Sequence, residues 1–169
     1  MNFRITLFCL LICFTSQALA LDEDGKKAPD FSLPTLDGET FRLSEQLGKG
    51  PVLLNFWATW CGPCLREMKK LKKVYQRHQD KGLQIVSISI DDQKTVSQVR
   101  GIVKSRRFPF TVLLDMNHEA KRLFQVANPP YTILLDKDGT IIYMHEGYRE
   151  GDVISLEEKI ISLMENKSE

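Results

Sequence analysis

The sequence predicts an α/β fold, with helices on both faces of a mixed β-sheet. A nearly continuous apolar run, Val52 to Trp57, is typical of a strand buried on both faces. An amphipathic segment and a second apolar strand, Leu83 to Ile90, follow it. This strand–helix–strand order predicts a right-handed crossover, and a later hairpin and terminal helix complete a mixed sheet.

The first 20 residues differ from the rest of the chain and predict a secretory signal peptide. Arg4 is their single charged residue, Ile5 to Phe14 are mostly apolar, and small residues two apart precede a cleavage expected after Ala20. The apolar run is shorter than the roughly 20 residues that span a bilayer, which disfavours a retained anchor. Lipid attachment at Cys13 is disfavoured because the bulky Ile12 precedes it. We therefore expect an exported protein, in a periplasm or another extracytoplasmic space.

Composition beyond this leader is that of one globular domain. The chain is 43% hydrophobic and 27% charged. The whole chain has 23 basic and 22 acidic residues, and the leader contains one basic residue and no acid. After cleavage 22 basic residues would balance 22 acidic ones. This balance gives no electrostatic basis for binding nucleic acid or an anionic membrane. We expect a flexible lead-in at residues 21–27 and one domain at residues 28–169, monomeric and not stably inserted in a membrane.

The N-terminal part of the domain is predicted to be a small hairpin that precedes the central sheet. Its two strands, Phe31–Leu33 and Thr40–Leu43, flank the turn signal Asp37-Gly38. Ser44 is expected to cap a short turn after them. The first central strand then begins at Val52.

The remaining elements follow from helical and strand periodicity. Apolar residues recur every three or four positions from Leu65 to His78, which predicts an amphipathic helix ending near Gly82. Asp91-Asp92 is expected to cap the next helix, Thr95 to about Ser105. The next elements are a strand at Thr111–Leu114, a helix at Glu119–Phe124 and a hairpin of the strands Tyr131–Leu135 and Thr140–Met144. The terminal helix, Asp152–Met164, is expected to be capped by Asp152.

Chemistry is expected at the only cysteines outside the leader, Cys61 and Cys64. They lie between a buried strand and an amphipathic helix, and Pro63 suits a first helical turn. Cys61 at the helix start is placed where free backbone N–H groups and the helix dipole stabilise a thiolate. Cys64 is one turn on and partly covered. This pattern predicts a reactive dithiol/disulfide pair, with an inert local disulfide as the alternative.

A metal site is the other structural possibility for such a pair. Structural zinc needs about four ligands. The histidines that could complete a zinc site are scattered along the chain: His78, His118 and His145. We expect no metal and no cofactor.

The segments LNFWATWCGPC and PPYTILLDKDG, with Glu67-Met68 between them, resemble the thioredoxin superfamily. Within it they resemble the exported TlpA/ResA-like thiol–disulfide oxidoreductases, over about residues 28–165. The resemblance implies a thioredoxin fold with an N-terminal hairpin extension. It also implies that Cys61 is the attacking thiol and Cys64 the resolving one.

The resemblance further implies a cis-proline that faces the cysteines. Counting back from Asp136 places it at Pro130, although the preceding Pro129 leaves the neighbouring bond as an alternative. Pro129 also lacks the backbone N–H that would pair with an extended substrate segment, so we expect weaker or more selective docking. The expected substrate-binding surface combines the active-site motif with this loop: Trp60, Gly62, Pro63, Pro129, Pro130 and Tyr131.

An acid near the cysteines is the last position that the resemblance implies. Asn55 stands where cytoplasmic thioredoxins have a buried Asp, and it cannot titrate. Glu67 matches the acid of TlpA/ResA-like proteins, and burial there would raise its pKa so that it accepts the Cys64 proton. The alternative is a solvent-facing helix glutamate. Lys69 replaces a helix-kinking proline of many relatives, which favours a straighter helix.

The expected function is thiol–disulfide exchange with disulfide-containing proteins. The Gly62-Pro63 pair is the one found in reducing thioredoxins, so we expect a reductant. Its electrons would come from a membrane thiol carrier. The resemblance suggests apocytochrome c maturation as the pathway. Three alternatives stay open. A peroxiredoxin-like peroxidase would need Pro-x-x-x-Thr-x-x-Cys around Cys61, and a Sco-like copper module would need Cys-x-x-x-Cys; neither motif is present. The third alternative is a redox-inert protein-binding module.

Overall fold

The structure is a computed structural model that describes residues 25–165. The predicted signal peptide, its cleavage after Ala20 and residues 21–24 of the lead-in lie outside the described residues, as do residues 166–169. Within residues 25–165, no helix combines the length and the apolar character needed to cross a bilayer.

Strands and helices alternate from residue 52 to residue 135, with two strands before this stretch and a strand and a helix after it. Two short 3-10 turns, Leu43–Glu45 and Gln79–Lys81, accompany eleven regular elements. In chain order these are β1 (Ser32–Pro34), β2 (Thr40–Arg42), β3 (Val52–Trp57), α1 (Gly62–His78), β4 (Gln84–Ser89), α2 (Ser97–Arg106), β5 (Thr111–Leu114), α3 (Glu119–Leu123), β6 (Tyr131–Leu135), β7 (Ile141–Glu146) and α4 (Asp152–Glu165).

The central sheet has five strands in the order β5-β4-β3-β6-β7. β3 pairs parallel with β4, and β4 with β5, whereas β6 is antiparallel to both β3 and β7. β1 and β2 form a separate antiparallel pair. The predicted mixed sheet and N-terminal hairpin are therefore confirmed.

Alternate residues of β3 face the two sides of the sheet, which differ in character. Asn55 points towards α1, where it contacts Glu67. Phe56 points the other way and packs against Phe124, which follows α3, and Phe124 in turn packs edge-on against Phe31 of the hairpin segment. Helix α4 shares the α1 side and contacts α1. Helices thus cover both faces, as predicted.

The last residues of the predicted lead-in contact β7 and the residue before it: Lys27 bridges Thr140, and the carbonyl of Lys26 accepts a hydrogen bond from the N–H of Ile141. Two predicted helix caps are corrected by the structure. Helix α2 begins at Ser97, and Asp92 caps the turn before it. The Asp152 carboxylate does not cap α4 but accepts the N–H of Arg149 before the helix, at 2.6 Å.

Candidate active site

Cys61 and Cys64 lie where β3 passes into α1. Cys61 directly precedes the helix in an extended conformation, and its Sγ accepts the backbone N–H of Cys64 at 3.2 Å. Pro63 occupies the first turn, as predicted. A disulfide joins the two cysteines, whose Cα atoms are 5.3 Å apart.

The start of α1 favours negative charge on sulfur. The Cys64 N–H that Cys61 accepts is one of the backbone donors left free at a helix start. The first turn contains no acidic residue. The guanidinium of Arg66 lies beside the same turn, 3.8 Å from the position that a Cβ atom on Gly62 would occupy. A Cys61 thiolate would therefore be stabilised by the start of the helix.

The two sulfurs differ in accessibility. Cys61 is 5% exposed and Cys64 is fully buried, so Cys64 is more deeply covered than predicted. An incoming thiol can therefore reach only Cys61, and Cys64 can meet only sulfur already held at Cys61. Trp60 is 62% exposed beside them, whereas Trp57 belongs to the core.

A buried carboxylate holds the loop that leads to Cys61. Asp91 follows β4, and because β4 runs parallel to β3 the two strands end at the same edge of the sheet. Its oxygens accept the N–H of Thr59 at 2.9 Å and the hydroxyls of Thr59 and Ser89 at 2.6 and 2.8 Å. The prediction that Asp91 shares the capping of α2 is wrong, because its side chain is turned inward to these three donors.

The cis peptide bond joins Pro129 to Pro130, which is the predicted position. Tyr131 follows as the first residue of β6 and pairs with Phe56, one residue before the end of β3. Pro130 is buried, while Pro129 and Tyr131 are half-buried. The proline loop and the cysteines therefore lie at the same end of two neighbouring strands.

Glu67 lies one turn beyond Cys64 and faces the sheet rather than solvent. It is 2% exposed. One carboxylate oxygen accepts the Asn55 side-chain N–H at 2.8 Å and the other accepts the Thr132 hydroxyl at 3.0 Å. Burial raises the pKa of Glu67 to about 7, although these two hydrogen bonds oppose the shift; the charge of Asp152 adds to it. The predicted buried acid with a raised pKa is confirmed, and the solvent-facing alternative is wrong.

Comparisons with known proteins agree with this geometry. The sequence profile of the AhpC/TSA family matches residues 25–144. Thiol-disulfide oxidoreductase ResA of Bacillus thuringiensis subsp. konkukian is 37% identical over 125 residues, which are 74% of this chain and 70% of that protein. Thioredoxin-like protein YneN of Bacillus subtilis is 39% identical over 126 residues, or 74% and 72% of the two chains. A crystal structure of a candidate thiol:disulfide interchange protein DsbE from Chlorobium tepidum matches with a TM-score of 0.77 and 32% identity, over 83% of this chain and 97% of that one.

This chain belongs to the thioredoxin-like AhpC/TSA family, as a ResA-like thiol–disulfide oxidoreductase. Its thioredoxin-like fold positions the redox pair, the cis-proline loop and a buried acid around the carboxyl end of β3. An oxidoreductase of this kind needs one reachable sulfur, a second sulfur held close and a group that takes up the second proton. Cys61 is the more accessible sulfur, Cys64 is bonded to it, and Glu67 lies three residues beyond Cys64 on α1.

Three contributors to the oxidoreductase site were not anticipated from the sequence. Arg66 could have been found from its spacing, because it lies four residues after Gly62 on one helix face. Thr132 and Asp91 come from distant strands, and only the sheet register brings them to Glu67 and Thr59. Among residues 25–165, no three His, Cys, Asp or Glu side chains are grouped as metal ligands.

Proposed function

We propose that this protein reduces disulfide bonds in other proteins outside the cytoplasm. The observation that carries the proposal is the asymmetry of the redox pair. Cys61 is the reachable sulfur at a helix start, and the buried Cys64 lies beside an acid whose pKa is about 7. An acid of that pKa exchanges a proton readily near neutral pH.

The reduced protein would react in two steps. The Cys61 thiolate attacks one sulfur of the partner's disulfide, a mixed disulfide forms, and the partner's other sulfur leaves as a thiolate. Cys64 then gives its thiol proton to Glu67 and attacks Cys61, so that the Cys61–Cys64 bond forms and the partner's remaining sulfur leaves. The partner gains two electrons and the protein loses two.

The proposed direction is reduction. Gly62-Pro63 separates the cysteines as in reducing thioredoxins, whose potential is about −270 mV, against about −120 mV for the oxidant DsbA. The leader at residues 1–20 supports export to an oxidising compartment, where the protein would need electrons from a membrane thiol carrier. Apocytochrome c is a proposed substrate class, from the resemblance alone.

Insulin reduction with dithiothreitol as electron donor tests the activity. Wild-type protein should accelerate insulin precipitation, and Cys61→Ser should abolish the acceleration. Equal acceleration by Cys61→Ser would refute the proposal and leave a redox-inert binding role. Peroxide added to reduced wild type is the matched test for a peroxidase, for which we expect no rapid turnover.

Partner identity is tested by trapping. Cys64→Ala cannot resolve the mixed disulfide, so it should accumulate adducts with its partner proteins when expressed with its leader in a bacterial host. Cys61→Ala is the control and should trap none. Adducts confined to the cytoplasmic fraction would contradict the proposed location.

A further inference from the structure

A row of polar side chains crosses the sheet from the core towards solvent. Asn55, Thr132 and His145 occupy directly paired positions on β3, β6 and β7, so their side chains share the α1 side of the sheet. Asn55 is fully buried, Thr132 is 2% exposed, and the His145 side chain is 35% exposed. The row therefore joins the interior to the surface through neighbouring strands.

The two helices above this row add a carboxylate at each end. Glu67 of α1 accepts hydrogen bonds from Asn55 and Thr132 at the inner end. Asp152 of α4 lies 3.2 Å from Nε2 of His145 at the outer end. The row thus begins at the buried acid of the redox site and ends at a histidine that is hydrogen-bonded to Asp152.

A small cavity lies between the two ends. Its polar lining comprises the buried acid, the middle of the row, the outer pair and a tyrosine: Glu67, Thr132, His145, Asp152 and Tyr143. Its volume is about 10 Å³, which is the space for the centre of one water molecule. These five polar side chains can supply the two to four hydrogen-bond partners that a buried water needs.

The redox site needs such a connection. Cys64 is fully buried and Glu67 is 2% exposed, so a proton that moves from the Cys64 thiol to Glu67 has no direct contact with solvent. Without an exit, each catalytic cycle would leave Glu67 protonated until the protein opens locally.

We propose that His145, held by Asp152, is the group through which Glu67 exchanges its proton with solvent. This inference rests on the proposed function. His145 acts through Glu67 and touches neither sulfur in the proposed reaction, so it is a positioning and relay residue.

The proton is conserved at every step of the proposed route. Cys64 S–H breaks as a Glu67 O–H forms. Glu67 then gives the proton to the cavity water, which passes one of its own protons to the His145 imidazole. The imidazolium beside the Asp152 carboxylate releases that proton to solvent, and the route runs backwards when the disulfide is reduced. A histidine suits this role because one ring nitrogen can accept a proton while the other donates one.

Other titratable groups around the route include two tyrosines and Lys159 of α4, whose Nζ lies 5.6 Å from the centroid of the Tyr143 ring. Burial raises the pKa of Tyr143 on β7, and the charges of Asp152 and Glu67 raise it further. Burial also raises the pKa of Tyr148, which follows β7 and donates to Glu150. Both phenols stay neutral at the pH of the reaction. The proposed route therefore uses Glu67 and the His145–Asp152 pair rather than these phenols.

Stopped-flow oxidation of the reduced protein tests the route. Wild type, His145→Ala and the neighbouring control Glu146→Gln are mixed with excess small-molecule disulfide, and tryptophan fluorescence follows Cys61–Cys64 formation. We expect His145→Ala to slow the resolving step by about 10-fold at pH 6 to 7, which is less than the roughly 100-fold or more contributed by an acid–base group that touches the reacting atoms. Added imidazole should restore the rate, and Glu146→Gln should match wild type.

The outcomes separate this inference from the proposed function. An unchanged rate and pH profile in His145→Ala would overturn the relay while wild-type exchange still supports the oxidoreductase. A slow His145→Ala protein that imidazole does not restore would also overturn it, because that loss is structural. His145→Gln, which keeps a polar side chain, is the second variant if His145→Ala does not fold. A wild-type protein without exchange would overturn the proposed function itself.

Discussion

The two faces of the central sheet contrast in chemistry. On the α1 side, β3 presents Asn55 to a buried network, and the Oδ1 atom of Asn55 has no hydrogen-bond partner there. On the opposite side, the next residue, Phe56, meets the ring of Phe124 with centroids 5.9 Å apart. One unpaired buried polar atom costs about 1 to 3 kcal/mol, whereas a buried aromatic pair is favourable. The contrast teaches that the aromatic face, which carries Phe56, adds favourable packing at this point of β3. The polar face, which carries Asn55, loses stability there, at the residues where we propose proton transfer.

The largest effect on this comparison is expected from Phe56→Ala on the aromatic face. Phe56 is fully buried, so its truncation removes apolar burial and leaves a cavity, at a cost of about 3 to 5 kcal/mol in the free energy of unfolding. Chemical denaturation of the oxidised protein measures it. Leu123→Ala is the control, because Leu123 is 45% exposed and should cost far less. A similar loss in both variants would contradict the assignment of stability to this face.

The second largest effect concerns pH and comes from Glu67 on the polar face. The native state raises the pKa of Glu67 from 4.5 to about 7, so native protein keeps a proton that the unfolded chain loses in this range. The free energy of unfolding should therefore fall by about 3 kcal/mol as the pH rises from about 4.5 to about 7. Glu67→Gln cannot titrate, so this fall should disappear.

Denaturant unfolding of the oxidised protein at several pH values checks this prediction. The stability of Glu67→Gln relative to wild type should be greater at pH 8 than at pH 4.5. Glu39→Gln is the matched control because Glu39 is exposed. Parallel pH curves for wild type and Glu67→Gln would show that Glu67 is not the group that stores the proton.

A smaller effect is expected from Asp91→Asn, which changes the anchor of the loop that joins β3 to α1. The amide can accept fewer of the three hydrogen bonds that the carboxylate receives, so unfolding should become about 2 kcal/mol easier. The loop before Cys61 should loosen, and iodoacetamide should alkylate Cys61 of the reduced protein at an altered rate. Asp92→Asn is the control, since the exposed Asp92 caps a turn and asparagine caps equally well. If Asp92→Asn changes the alkylation rate as much, Asp91 has no special hold on the loop.

The strands and helices were predictable from sequence, whereas the polar network was predictable only in part. The apolar run of β3 and the periodicity of α1 depend on neighbouring residues, and both elements were found within a few residues of their ends. Glu67 was identified only through the family resemblance. Thr132 and His145 lie 65 and 78 residues further along the chain, and their role depends on the pairing of β3, β6 and β7. Strand register over such distances leaves no local signal in the sequence.

The same limit explains the errors over Asp91 and Asp152. An aspartate before a helical pattern favours capping, and Asp92 does cap a turn. Asp91 is drawn inward because Thr59 and Ser89 offer it three donors. Asp152 turns back because the N–H of Arg149 and the ring of His145 lie before α4. In both cases a partner from another segment outcompetes the local helix end.

The smallest expected effect lies at the edge of the polar face, in Pro129→Thr. Pro129 has no N–H to donate to an extended substrate segment, and threonine restores one while Pro130 remains. One additional hydrogen bond of about 1 kcal/mol should raise kcat/KM for protein disulfides by about fivefold. A small disulfide without a peptide backbone is the control substrate, and its rate should stay the same. Unchanged kcat/KM across several protein disulfides would mean that substrates dock without using the backbone at Pro129, and that the exposed Trp60 and the Cys61 sulfur make the contacts that matter.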